Sequence, residues 1–135
     1  MPPASPLHVF EYAVLRAVPR VEREEFMNVG VVVFCRAQGF LRCASALPAA
    51  RLRALGGPAL DLADLQARLA AFGQICQGRP AGGLIGGLPP AERFRWLTAT
   101  RSTVLQTSAV HPGLTADAAA TLARLFAALV AEGAA

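Results

Sequence analysis

One run of residues constrains the fold more than any other: Asn28-Val29-Gly30-Val31-Val32-Val33-Phe34-Cys35. β-branched side chains lose rotamer freedom in a helix and pack well on a pleated surface, so this run predicts a strand. The run is short and apolar, so the strand is expected to be buried. Gly30, the one position without a side chain, predicts a bulge or a place where another backbone comes close.

Such a strand needs partners. Residues 7–18 supply one, with His8, Phe10, Tyr12, Val14, Arg16 and Val18 on one face and Leu7, Val9, Glu11, Ala13, Leu15 and Ala17 on the other. Both faces are mostly apolar, so this strand is expected to be central and covered on both sides. Glu11 and Arg16 interrupt it on opposite faces, and a charge in such a place needs a partner or a job. Pro19 ends the strand, and the five charges in residues 20–27 predict a turn or two of surface helix. The Gln38-Gly39 step predicts a hairpin turn returning as a strand over 40–46. The β-rich residues 103–108 add a fourth.

Helical spacing fills most of the remainder. A short helix follows Pro48 over 49–55. Asp61 is placed to cap a longer one running to Gln77, with Leu62, Leu65, Leu69, Phe72 and Cys76 on one stripe. Pro89-Pro90 opens a helix over 91–99 with Phe94 and Leu97 inward. After a loop over 109–114, Thr115 is expected to cap a last helix over 116–132, whose stripe is Leu122, Leu125, Phe126, Leu129 and Val130. The glycine-rich stretch 78–88 follows a helix and leads to no Gly-Lys-Ser/Thr, so it reads as a flexible connector and not a phosphate loop. The expected fold is α+β: a two-layer sandwich of an antiparallel sheet of three to four strands packed by two to four helices. Residues 1–6, with three prolines, form a loose lead-in to a single domain over 7–132.

Composition narrows the functional classes. With 54% hydrophobic and 16% charged residues in a chain of 135, the protein can bury a real core and is not a disordered one. No apolar run reaches the roughly 18–20 residues of a membrane span. The formal charge is +4, and all 13 basic residues are arginine. Arginine suits phosphate, but these residues are scattered, and an excess of Ala, Gly, Pro and Leu without lysine is what a GC-rich genome produces. A nucleic-acid-binding module therefore has little support beyond net charge. Cys35, Cys43 and Cys76 are an odd set with no Cys-x-x-Cys pair, which argues for a reducing compartment and against a disulfide framework or zinc site. The first residues lack the pattern of a secretory signal, so a cytoplasmic protein is expected.

Chemistry is sparse. Arg101, Ser102 and His111, with Gln106 nearby, would make an anion site of guanidinium, hydroxyl and imidazole. The structural alternative pairs Arg101 with Glu92 and lets Ser102 cap a turn. His8 and His111 are the available bases and Ser102, Cys35 and Cys43 the available nucleophiles, but no nucleophile-elbow context surrounds them. Thiols on apolar strand positions read as inert core groups. No metal spacing is present; a Glu11/Glu25 pair converging at the sheet end is the one arrangement that would hold Mg²⁺, and no cofactor motif occurs. Arg16 and Glu25 flank the Pro19 turn and would form a buried ionic link that fixes it, with the Asn28 amide, at the opening of the next strand, satisfying loop backbone groups.

Two blocks carry a resemblance. Tyr12-Ala13-Val14-Leu15-Arg16-Ala17-Val18-Pro19 followed by Glu25-Phe26-Met27-Asn28-Val29-Gly30-Val31-Val32 resembles the opening of the DUF3037 family, small bacterial proteins of unknown function. Arg93-Phe94-Arg95-Trp96-Leu97, then Arg101-Ser102-Thr103-Val104-Leu105-Gln106 and Val110-His111-Pro112-Gly113-Leu114, resembles that family's C-terminal motif. The similarity runs over 10–130, with residues 48–89 not diagnostic. It implies a protein encoded beside a HipA-like kinase-fold protein, which the small chain would bind or regulate. By motif match it implies functional roles for Arg16, Glu25, Asn28, Arg101, Ser102, Gln106 and His111.

The resulting expectation is a non-catalytic accessory protein that docks a protein partner through an exposed sheet or an Arg101–His111 surface. The alternatives are a small phosphate- or nucleic-acid-directed enzyme using Arg101 and His111, and a nucleic-acid-binding module.

Overall fold

A computed structural model describes residues 5–57, 59–101 and 103–131. The strand predicted over 7–18 is β1 (His8–Ala17), and the valine run is β2 (Met27–Cys35). A turn with Gly39 at φ 57° joins β2 to β3 (Phe40–Ser45). Helices α1 (Ala49–Gly56), α2 (Leu62–Gln77), α3 (Gly83–Gly86) and α4 (Pro90–Leu97) follow. Then come β4 (Leu105–Thr107), β5 (His111–Thr115) and α5 (Ala118–Phe126), which continues as a π-helical stretch over Ala127–Ala131. No helix among the described residues is long and apolar enough to cross a membrane.

The five strands form one antiparallel sheet in the order β3-β2-β1-β4, with β5 also pairing β1. β4 and β5 share one edge of β1: β4 runs beside its last residues and β5 beside its first. Gly30 fulfils both expectations. The β1–β2 register slips beside it, and a Cβ there would come within 2.8 Å of the Ala44 carbonyl oxygen.

The alternation of β1 and β2 divides the core in two. Ala13, Leu15, Val29, Val32 and Phe34 face α1, α2 and α4, where Phe34 stacks on Phe94 at 5.4 Å. Phe10, Val31, Val33 and Cys35 face α5. Helices thus cover both faces, so the sheet lies between two helical layers and the two-layer expectation is corrected. Strands apolar on both sides require that second cover.

Three further expectations change. Residues 109–114 are not all loop, since most of them belong to β5. Pro112 and Gly113 disguised that strand, yet proline is tolerated at a sheet edge, and Gly113 is needed because a Cβ there would meet Phe10 Cε1 at 2.5 Å. Thr115 does not cap α5. Its hydroxyl is engaged with Thr121 at 2.7 Å, and Asp117 accepts from the amides of Ala119 and Ala120 instead. The glycine-rich stretch is packed rather than a free connector: Gly86 lies against Gly78, and at Gly82 a Cβ would meet the Gly86 Cα at 2.7 Å.

Candidate functional site

Strand pairing places three of the motif residues in one row. Arg16 of β1 lies opposite Asn28 of β2 on one side and Gln106 of β4 on the other. Directly paired residues share a face of the sheet. The bulge makes this row: an unbroken ladder continuing from the Leu15–Gly30 pair would set Val29, not Asn28, opposite Arg16. Asn28 Nδ2 donates to the Leu129 carbonyl at 3.1 Å, and Gln106 Nε2 donates to the Thr103 carbonyl at 2.9 Å.

Arg16 itself is half-buried, with its guanidinium 4.1 Å from the centre of the Phe26 ring. Its Nε is buried without a hydrogen-bond partner among the described residues. The expected Arg16–Glu25 link is not formed, because Glu25 pairs with Arg23 in the surface turn that left-handed Glu24 closes. Glu11 and Glu25 do not converge either. Glu11 pairs with Phe34, six positions along β1 from the Ala17–Met27 pair, about 20 Å at strand rise. Among the described residues no group of three or more His, Cys, Asp or Glu side chains is placed to hold a metal ion.

Arg101 and His111 are also separated. Arg101 stacks over Trp96 at 4.3 Å and donates to the carbonyls of Trp96, Leu97 and Ala99, closing the C-terminal end of α4. These acceptors replace the expected Glu92. Cations suit a helix C-terminus because its last carbonyls lack internal partners. Ser102 lies outside the described residues. His111 is exposed on β5 opposite Tyr12, with the rings 5.3 Å apart. Tyr12 is four positions along β1 from Arg16, about 13 Å. The small cavity that Arg101 lines, with Trp96, Ile75 and Gln106, does not include His111.

Two features escaped sequence reasoning. Arg93, only 9% exposed, donates to the carbonyls of Leu88, Ile75 and Cys76 and so closes the C-terminal end of α2. Its spacing of four from Leu97, on the buried stripe of α4, was the available signal. The second is that Cys43 of β3 and Cys76 of α2 line one cavity at the β3–α2 interface. Nothing in their spacing along the chain announces it. Cys35, by contrast, lies in the α5-side core and donates to the Val9 carbonyl at 3.6 Å.

At the end of the sheet where β1 meets β5, the helices on the α2/α4 side stop short. Val9 and Leu114 are paired there, 63% and 62% exposed, with Leu7 alongside at 62%. Val9 and Glu11 line a depression with Phe34, Arg36 and Arg95. Pro112 removes one backbone donor from β5, so this edge is poorly suited to accept another strand. What it presents is an apolar surface with two arginines beside it.

Residues 12–130 match the family described as "Protein of unknown function (DUF3037)". No curated protein and no solved structure gives a significant match. The matched span takes in the Arg16–Asn28–Gln106 row, Arg93 and His111, and covers most of the sequence: the chain belongs to the DUF3037 family.

Proposed function

We propose that the protein is a non-catalytic accessory module that docks a protein partner on the uncovered end of its sheet. The observation that carries this reading is the exposure of Leu7, Val9 and Leu114 on adjacent positions beside Arg36 and Arg95. Apolar side chains clustered on a surface and rimmed by charge mark an interaction site. The partner that fits presents apolar side chains flanked by carboxylates, and it docks through side chains more than through the β5 edge. A HipA-like kinase-fold protein, the kind the family resemblance implies, is the first to test. The test is co-purification of the co-expressed pair with Val9→Glu/Leu114→Glu, with Leu84→Glu on α3 as an exposed control. Loss of the complex in the double variant alone supports the reading, and wild-type recovery overturns it. Arg101→Ala should leave the complex intact, since Arg101 is engaged with α4.

A second reading rests on Arg16. A half-buried guanidinium with no carboxylate partner among the described residues is suited to an anionic ligand, and Asn28 and Gln106 flank it. An anion-directed role would centre here and not on the separated Arg101 and His111.

A further inference from the structure

The sheet face toward α2 carries a second centre, unrelated to the docking surface. Cys43 of β3 is paired with Val32, whose side chain lies in the core beneath α2. On α2, Gly73 and Cys76 are three residues apart and therefore neighbours on one helix face. Gly73 leaves the space between strand and helix open. A Cβ built on it would lie 3.8 Å from Cys43 Sγ, so that sulfur sits against the helix one turn before Cys76. That places the two cysteines on facing sides of the β3–α2 interface. Both line a cavity of about 690 Å³ whose walls also include Gln38, Arg42, Gln77 and Arg93. Cys43 is half-buried on the wall of this cavity, while Cys76 is buried.

We propose that Cys43 and Cys76 form a peroxide-reactive dithiol that closes into a disulfide across the β3–α2 interface. The division of labour follows from their surroundings. Cys43 is the more accessible of the two and so meets a solute first, whereas Cys76 is buried. The neighbouring Cys76 thiol holds Cys43 below its ordinary value, against the opposing effect of burial. Cys43 and burial push Cys76 up, and the Arg93 guanidinium opposes them. Cys43 is therefore the thiolate that attacks and Cys76 the thiol that resolves.

In the first step the Cys43 sulfur attacks one oxygen of hydrogen peroxide. The O–O bond breaks, the departing hydroxide takes up a proton as water, and Cys43 becomes a sulfenic acid. In the second, the Cys76 sulfur attacks the sulfenic sulfur. The S–S bond forms, the S–O bond breaks, and the hydroxide leaves as water with the Cys76 proton. One peroxide is reduced to two waters while two thiols lose two electrons. A thiol reductant reverses the bond.

The experiment treats the full chain with hydrogen peroxide and maps disulfides by peptide mass, with Cys35 as the internal control. The expected result is a chain lighter by two hydrogens, a Cys43–Cys76 cross-linked peptide, a free Cys35, and full reversal by dithiothreitol. In Cys76→Ala, dimedone should label Cys43 after peroxide. In Cys43→Ala, neither Cys76 nor Cys35 should be labelled at the same dose. Three free thiols at a dose that oxidises glutathione would overturn the proposal, as would sulfenic acid first at Cys35 or cross-links only between chains.

Discussion

Arg93 acts on Cys76 twice: its Nη1 donates to the Cys76 carbonyl at 2.7 Å, and its charge favours the thiolate of the same residue. One guanidinium thus closes the C-terminal end of α2 and bears on the thiol one turn beyond Gly73. The same device recurs at α4, where Arg101 closes the helix end. Two arginines of the C-terminal motif are therefore engaged with backbone carbonyls.

Removing Arg93 tests the first device. Arg93→Met keeps much of the packing but leaves the carbonyls of Ile75 and Cys76 without this donor. A buried acceptor left unsatisfied costs about 1–3 kcal/mol. The variant should lose about 2–3 kcal/mol, read as a lower urea midpoint with an unchanged slope. Arg93→Lys, which lacks the planar fork, should recover only part of it.

The thiol pair sets a pH dependence with a definite sign. Alkylation requires the thiolate, and Cys43 is held below the ordinary thiol value by the neighbouring Cys76 thiol. Its reaction with iodoacetamide in the folded chain should therefore reach half its limiting rate at a lower pH than in the urea-unfolded chain. Cys76→Ala removes that neighbour and leaves burial, which acts in the opposite direction. The midpoint in that variant should move up, and an unchanged midpoint would show that Cys76 does not control it.

Asp117, and not Thr115, holds the start of α5, with its carboxylate accepting from two helix amides at 3.0 and 3.2 Å. Asp117→Ala should cost about 1 kcal/mol in chemical denaturation. Asp117→Asn should cost less, since the amide oxygen still accepts.

Arg16 makes a prediction about anions. A half-buried charge without a carboxylate partner carries a desolvation cost that an apolar side chain of similar volume does not. Arg16→Met should therefore be at least as stable as the wild type in chloride. Phosphate at matched ionic strength should raise the melting temperature of the wild type and not of Arg16→Met. Equal responses would remove the anion reading.

The two-sided core predicts a contrast between leucines. Leu65 is fully buried between α2 and the sheet, whereas Leu84 on α3 is 92% exposed. Leu65→Ala should cost about 2–5 kcal/mol, and Leu84→Ala should stay within about 0.5 kcal/mol. Thermal and chemical denaturation of the pair decide it.

Much of this architecture was legible because its signals are local. The valine run is a strand whatever surrounds it, Gly30 has too close a neighbour for a side chain, and the stripe from Leu62 to Cys76 has the helical period. β5 was hidden because Pro112 and Gly113 are loop residues by composition and strand residues only at this edge, against Phe10. The two-layer expectation failed although apolar alternation on both faces of β1 and β2 already called for helices on both sides.

The motif residues show where local reasoning ends. The sequence by itself determined that Arg16 is a charge in a mostly apolar strand, that Asn28 opens the next strand, and that Cys43 and Cys76 are unremarkable in spacing. Only the tertiary structure decided that a one-residue bulge sets Asn28 opposite Arg16, that Glu25 turns to Arg23, and that Arg101 closes a helix while His111 sits opposite Tyr12 on β5. It alone brought Cys43 and Cys76 to one cavity. Secondary structure follows from the conformational preferences of neighbouring residues, whereas these meetings depend on strand register and on which helix covers which face. Those are set by the packing of the whole core.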